Sequence, residues 1–117
     1  MITIPRQLMD AFSRQALRDF ENRMMDHLRK RFPRQSDQLG DASLRTMIQN
    51  GIVMAGRYAV TDQYDVRRYL EYMIVLSRDF DTDPGTSWAA AILHNHRLDG
   101  TAKMNLVDDT FLYSIRG

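Results

Sequence analysis

The chain has 117 residues, 44% of them hydrophobic, which fits one domain around one core and is too short for two well-buried ones. It contains no cysteine, which excludes a disulfide framework, a thiolate metal site and a cysteine nucleophile. The formal net charge is only +1, yet residues 1–34 carry eight basic and four acidic side chains, a balance of +4, against eight basic and eleven acidic in the remainder, a balance of −3.

The opening MITIPRQLMDAF places a proline and charges where a signal peptide needs an apolar run. No window approaches the roughly 18 apolar residues of a membrane span, so a cytoplasmic protein with no membrane partner is expected. Pro5 suits the first turn of a helix, and Met9, Phe12, Ala16, Phe20, Met24 and Leu28 recur at helical spacing, predicting a long helix over about 5–32. Its other face carries Arg14, Arg18, Asp19, Glu21, Arg23 and Asp26. Residues 33–41, PRQSDQLGD, have the composition of a loop.

The helical core is expected over about 41–116. Asp41 or Ser43 offers a cap for a second helix, in which Leu44, Met47, Ile48, Gly51, Ile52, Ala55 and Tyr58 share a face. Gly51 costs about 1 kcal/mol relative to alanine inside a helix, so a neighbouring helix is expected to cross closely there. Thr61 or Asp62 caps a third helix with Val66, Tyr69, Leu70, Met73, Ile74 and Leu76 inward. The segment DFDTDP ends it, and Asp83-Pro84 or Ser87-Trp88 starts a short fourth helix through Leu93. HNHRLDG at 94–100 reads as a connector, followed by a last helix over about 101–115 with Met104, Val107, Phe111 and Ile115 on one side and Asp108 and Asp109 near the other. No strand alternation or repeat is visible. The expected fold over residues 1–117 is a single all-α domain of four to five helices, bundle-like or orthogonal.

Local motifs supply little chemistry. Asp79, Asp81 and Asp83 have the alternating spacing that begins a calcium loop, but positions six and twelve, which need Gly and Glu, hold Pro84 and Ala90. The aspartates therefore read as turn and cap residues. His94 and His96 form an HxH pair with His27 far away in sequence, which is too few ligands for a metal site. No Gly-rich phosphate loop, HExxH pair or GxSxG elbow occurs, so neither an enzyme nor a cofactor is expected. Arg29, Lys30, Arg31 and Arg34 form a basic helix end that suits phosphates, or merely offsets the helix dipole. Trp88 is expected to lock the short helix onto the core; Met25 and Met54, off the main stripes, could serve an exposed protein-binding surface, but ordinary core filling is the expected use.

The stretch Gly56-Arg57-Tyr58-Ala59-Val60-Thr61, with Asp65-Val66, Tyr69, the apolar run to Leu76, Asp79-Phe80-Asp81-Thr82-Asp83-Pro84, Trp88-Ala89 and Ile92-Leu93, resembles small all-helical bacterial proteins encoded beside type VI secretion spike and toxin genes. It covers residues 56–93, leaves the first 55 unmatched, and departs from the pattern at Ala59 and at Ser77-Arg78, where glycine is usual. The resemblance implies a shared fold and genomic setting rather than a defined activity; with no catalytic set in the sequence, the expected function is a non-enzymatic interaction protein that binds a cognate toxin or secreted effector, as an immunity protein or loading adaptor. Arg57, Asp79, Asp81 and Asp83 are the expected partner-binding residues, chosen for charge and expected exposure. A homo-oligomer is left open. A small nucleic-acid-binding or regulatory protein using the basic end of the first helix is the weaker alternative.

Overall fold

Ser13 sets the start of the first helix that the computed structural model describes; the described residues are 13–116, with side chains as far as Tyr113. The Ser13 hydroxyl accepts the Ala16 N–H at 3.1 Å, and α1 runs Arg14–Arg31. The expected start at Pro5, with Met9 and Phe12, lies outside the described residues. Leu17, Phe20, Met24 and Leu28 are buried as the spacing predicts. Met25, off the main stripe, fills the core at 3% exposure, because α1 packs against three neighbouring helices and is covered on more than one side. Met54 likewise packs against the core.

The segment read as a loop is a helix. Phe32 leaves the helical region (φ −131°, ψ 65°), in keeping with the bias of a residue before proline, and Pro33 occupies the first turn of α2, Pro33–Leu39. Buried Ser36 donates its hydroxyl to the Leu28 carbonyl at 3.0 Å, a second bond beside the one from the Phe32 N–H that ties α2 to the end of α1. The chain turns at Gly40 (φ 80°) directly into α3, Asp41–Arg57, so neither Asp41 nor Ser43 provides a side-chain cap. Asp62 does cap α4, Gln63–Val75, accepting the Tyr64 N–H at 3.0 Å. A 3-10 turn at Pro84–Thr86 leads into α5, Ser87–Leu93, and α6 spans Gly100–Arg116. Trp88 packs partly buried against the core. The all-α class holds, with six α-helices and no strand among the described residues; α2 accounts for the difference from four to five.

The helices form two groups joined through α4. On one side α3 packs against α1, α2 and α4; on the other α6 packs against α4 and α5. Gly51 of α3 lies where a Cβ would run into Leu70 and Met73 of α4, the close crossing that its presence in a helix predicts. Phe20, Leu28, Leu44, Ile48, Val66, Tyr69, Leu70, Phe80, Leu93 and Met104 are fully buried in one continuous core spanning both groups.

The two groups meet at the end of α3. The Val60 N–H bonds the Ala55 carbonyl at 2.9 Å and the Ala59 N–H bonds the Gly56 carbonyl at 3.1 Å, the paired hydrogen bonds of a Schellman ending, with Ala59 left-handed at φ 65°. Gly100, at the start of α6, sits so close that a Cβ there would overlap the Ala59 carbonyl. Lys103 of α6, only 4% exposed, donates to the Tyr58 carbonyl at 2.9 Å. Its ammonium is the donor that this exposed end of α3 lacks.

Two substitutions test this corner by urea unfolding. Ala59→Gly removes the left-handed Cβ penalty, partly offset by a more flexible unfolded chain, and is expected to raise stability by about 0.5–1 kcal/mol. Gly100→Ala must displace backbone rather than a mobile side-chain end, and is expected to lower it by about 1–3 kcal/mol.

Candidate functional site

The acidic turn is self-contained. Asp83 caps the 3-10 turn, accepting the Gly85 N–H at 2.8 Å and the Ser77 hydroxyl at 3.3 Å. Thr86 ties the turn back by donating to the Phe80 carbonyl at 2.8 Å, with the Phe80 ring buried beneath. Asp81, chosen from sequence as an exposed contact, is instead 4% exposed and accepts the Tyr58 hydroxyl at 2.7 Å. Burial, then the hydrogen bond to Asp81, pushes the Tyr58 pKa up, so the phenol stays a donor. Asp79 and Arg57 remain exposed. Of the four candidate contacts, two therefore present free charge to solvent and two hold the corner together.

The basic helix end is partly neutralised as well. Arg29 pairs with Asp41 at 2.5 Å, and Arg31 lies 4.0 Å from Glu71. His94 and His96 are exposed, and His27 contacts Glu71 at 3.0 Å. Among the described residues no three histidine or carboxylate side chains are grouped to hold a metal ion.

A different site emerges between α4 and α6. Asp65, Arg68, Tyr69 and Tyr72 recur at i, i+3, i+4 and i+7, so one face of α4 carries an ion pair inside its buried stripe. Arg68 is 7% exposed and donates to Asp65 at 2.5 Å, to Asp108 at 2.7 Å and to Asn105 at 2.9 Å. Thr101 donates to the second oxygen of Asp65 at 2.5 Å, and Tyr72 to the second oxygen of Asp108 at 2.6 Å. Burial alone would lower the Arg68 pKa; the bonds to Asp65 and Asp108 outweigh it and raise it. Burial and the bond to Asp108 also push the Tyr72 pKa up. The network is thus a fixed, charged seam docking α6 onto α4.

Over this seam lies an open groove of about 270 Å³, walled by Phe32 at the α1–α2 junction, Tyr64, Arg67 and Val75 of α4, and Phe111 of α6. Tyr64 is 57% and Val75 43% exposed, and α6 goes on to expose Leu112 and Tyr113. Sequence reading missed this groove. The legible signal was the Asp65–Arg68 pair inside an otherwise apolar face, which marks a buried polar contact with another element. Its volume suits side chains of a partner better than a cofactor, and its lining of Tyr, Arg and Phe is the composition enriched where proteins bind one another.

Comparison with known proteins adds no relative: no protein-family model matches the chain, and neither a curated protein nor a solved structure does.

Arg68→Met strands Asp65 without its counter-charge, and is expected to cost about 3–5 kcal/mol in urea unfolding. Tyr72 tests pH dependence. Its folded pKa lies above the ordinary 10.0, so the folded molecule keeps a proton that the unfolded chain releases. Its contribution is complete below pH 10 and is lost as pH rises beyond it. Lys103, whose pKa burial lowers from 10.5, acts in the opposite sense nearby, so wild type is compared with Tyr72→Phe. The variant is expected to be about 1 kcal/mol less stable at neutral pH, with the gap closing above pH 10 by at most about 1.4 kcal/mol per pH unit.

Proposed function

We propose that this chain is a non-enzymatic, cytoplasmic protein-binding domain that uses the groove between α4 and α6 to hold a cognate toxin or secreted effector, as immunity protein or loading adaptor. The observation that carries the protein-binding part is the groove itself: exposed Tyr64 and Val75 over a floor in which Asp108 is held by Arg68 and Tyr72. A rigid floor with exposed aromatic anchors suits capture by shape, since little side-chain order is lost on docking. The nature of the partner is supported by the resemblance over residues 56–93. Arg57 and Asp79 supply a secondary, charged contact at the far corner of α3. Among the described residues no helix is long and apolar enough to cross a membrane. The ion pairs that consume Arg29 and Arg31 weigh against a phosphate-binding role for the basic helix end.

The deciding experiment is co-purification with the product of the neighbouring gene, followed by titration of variants. Val75→Asn, which makes a groove wall polar, is expected to weaken capture about tenfold or more, equivalent to about 1.4 kcal/mol, with unchanged thermal unfolding. Asp79→Lys and Arg57→Glu test the secondary contact by a change in association rate and salt dependence. Asp81 and Asp83 are unsuitable for charge reversal, because their loss breaks the corner. Capture indifferent to Val75→Asn removes the groove from the interface. Steeply salt-dependent DNA binding without a protein partner overturns the proposal.

A further inference from the structure

Arg67 and Arg68 are adjacent on α4 and differ in one decisive respect. Arg68 is committed to Asp65, Asn105 and Asp108. Arg67 makes no hydrogen bond or ion pair among the described residues; the Nε atoms of both arginines are buried without a partner. The guanidinium carbons of Arg67 and Arg68 lie 4.9 Å and 5.0 Å from the centroid of the Tyr64 ring. A guanidinium held over an aromatic ring has less freedom to lose when it receives a planar anion.

The two carboxylates lining the groove are already engaged. Asp108 accepts from Arg68 and Tyr72, and Glu71 contacts His27 at 3.0 Å. Arg31, 68% exposed, lies 4.0 Å from Glu71 and offsets it at the rim. Arg67 is thus left without a counter-charge among the described residues, beside an apolar wall. Free phosphate would leave that wall unused, and a nucleic-acid backbone would bring repeated negative charge against Glu71 and Asp108. A peptide combining a carboxylate with a large apolar side chain matches both features.

We infer that the groove receives an acidic, apolar peptide segment of the partner, with one large apolar side chain seated between Phe32, Val75 and Phe111 and a neighbouring carboxylate bidentate on Arg67. This partner chemistry rests on the protein-binding reading of the groove. It makes Arg67 the residue that selects the segment and Val75 one that helps bind it.

The test is selection of random short peptides displayed in a library, run on wild type, Arg67→Glu and Val75→Asn, with circular dichroism melts confirming that each variant folds. Wild type is expected to enrich peptides pairing Asp or Glu with Leu, Phe or Trp. Synthetic copies should lose affinity tenfold or more on Arg67→Glu, less on Arg67→Lys, and tenfold or more on Val75→Asn. Enriched peptides that lack acidic residues, yet still depend on Val75, overturn the acidic chemistry and leave the groove standing. Peptides indifferent to both substitutions, or no enrichment, overturn both. Concentration-dependent dimerisation abolished by Val75→Asn gives the groove to a second copy of this chain, and an oligonucleotide displaced by Arg67→Glu gives it to nucleic acid; either overturns the inference.

Discussion

The end of α3 at Tyr58–Ala59 is the point on which the arrangement depends. Two separate parts of the chain use this one turn, through three contacts: the Gly100 end of α6 packs against the Ala59 carbonyl, Lys103 of α6 donates to the Tyr58 carbonyl, and the Tyr58 hydroxyl donates to Asp81 of the acidic turn. Helix ends leave carbonyls that need donors. Here the Schellman bonds supply some and a buried lysine supplies another, so the open end of α3 is also the attachment point of α6. Burial lowers the Lys103 pKa, the expected response of an ammonium with little water and no nearby carboxylate bonded to it.

The groove follows from that attachment. With α6 fixed near α3 at its start, its middle lies along α4, where Arg68, Asp108 and Tyr72 bind the two helices through polar groups alongside the Tyr72–Phe111 ring contact. A buried ion pair is a weak source of net stability but is intolerant of rearrangement, because any shift leaves a desolvated charge unpaired. The helices are therefore fixed in register while the outer edge of α4, at Tyr64 and Val75, stays exposed. A wholly apolar seam would close more tightly and leave less surface for another molecule.

Much of this was legible in the sequence. The stripes of α1, α3 and α4 are plain from spacing, Asp62 is a recognisable cap, and Gly51 announced its close crossing. The loop expected at 33–41 shows where composition fails: proline signals a break and also the first turn of a new helix, and the choice depends on Ser36 finding the Leu28 carbonyl, a contact that exists only after α1 has ended. Nothing in the helical spacing marks Ala59. Its role, a left-handed ending that alanine tolerates with strain, required the backbone.

The site was less legible because charge in a sequence is not charge at a surface. The three aspartates between residues 79 and 83 dominate the linear pattern, yet Asp81 and Asp83 are spent on Tyr58, Ser77 and the Gly85 amide. Arg67 is inconspicuous among fourteen arginines. What distinguishes it is the absence of a counter-charge, which no count of residue types can reveal. Recognition depends on charges left uncompensated after the fold has satisfied itself, so the groove at Arg67 carries the stronger claim to a partner than the acidic turn that first attracts the eye.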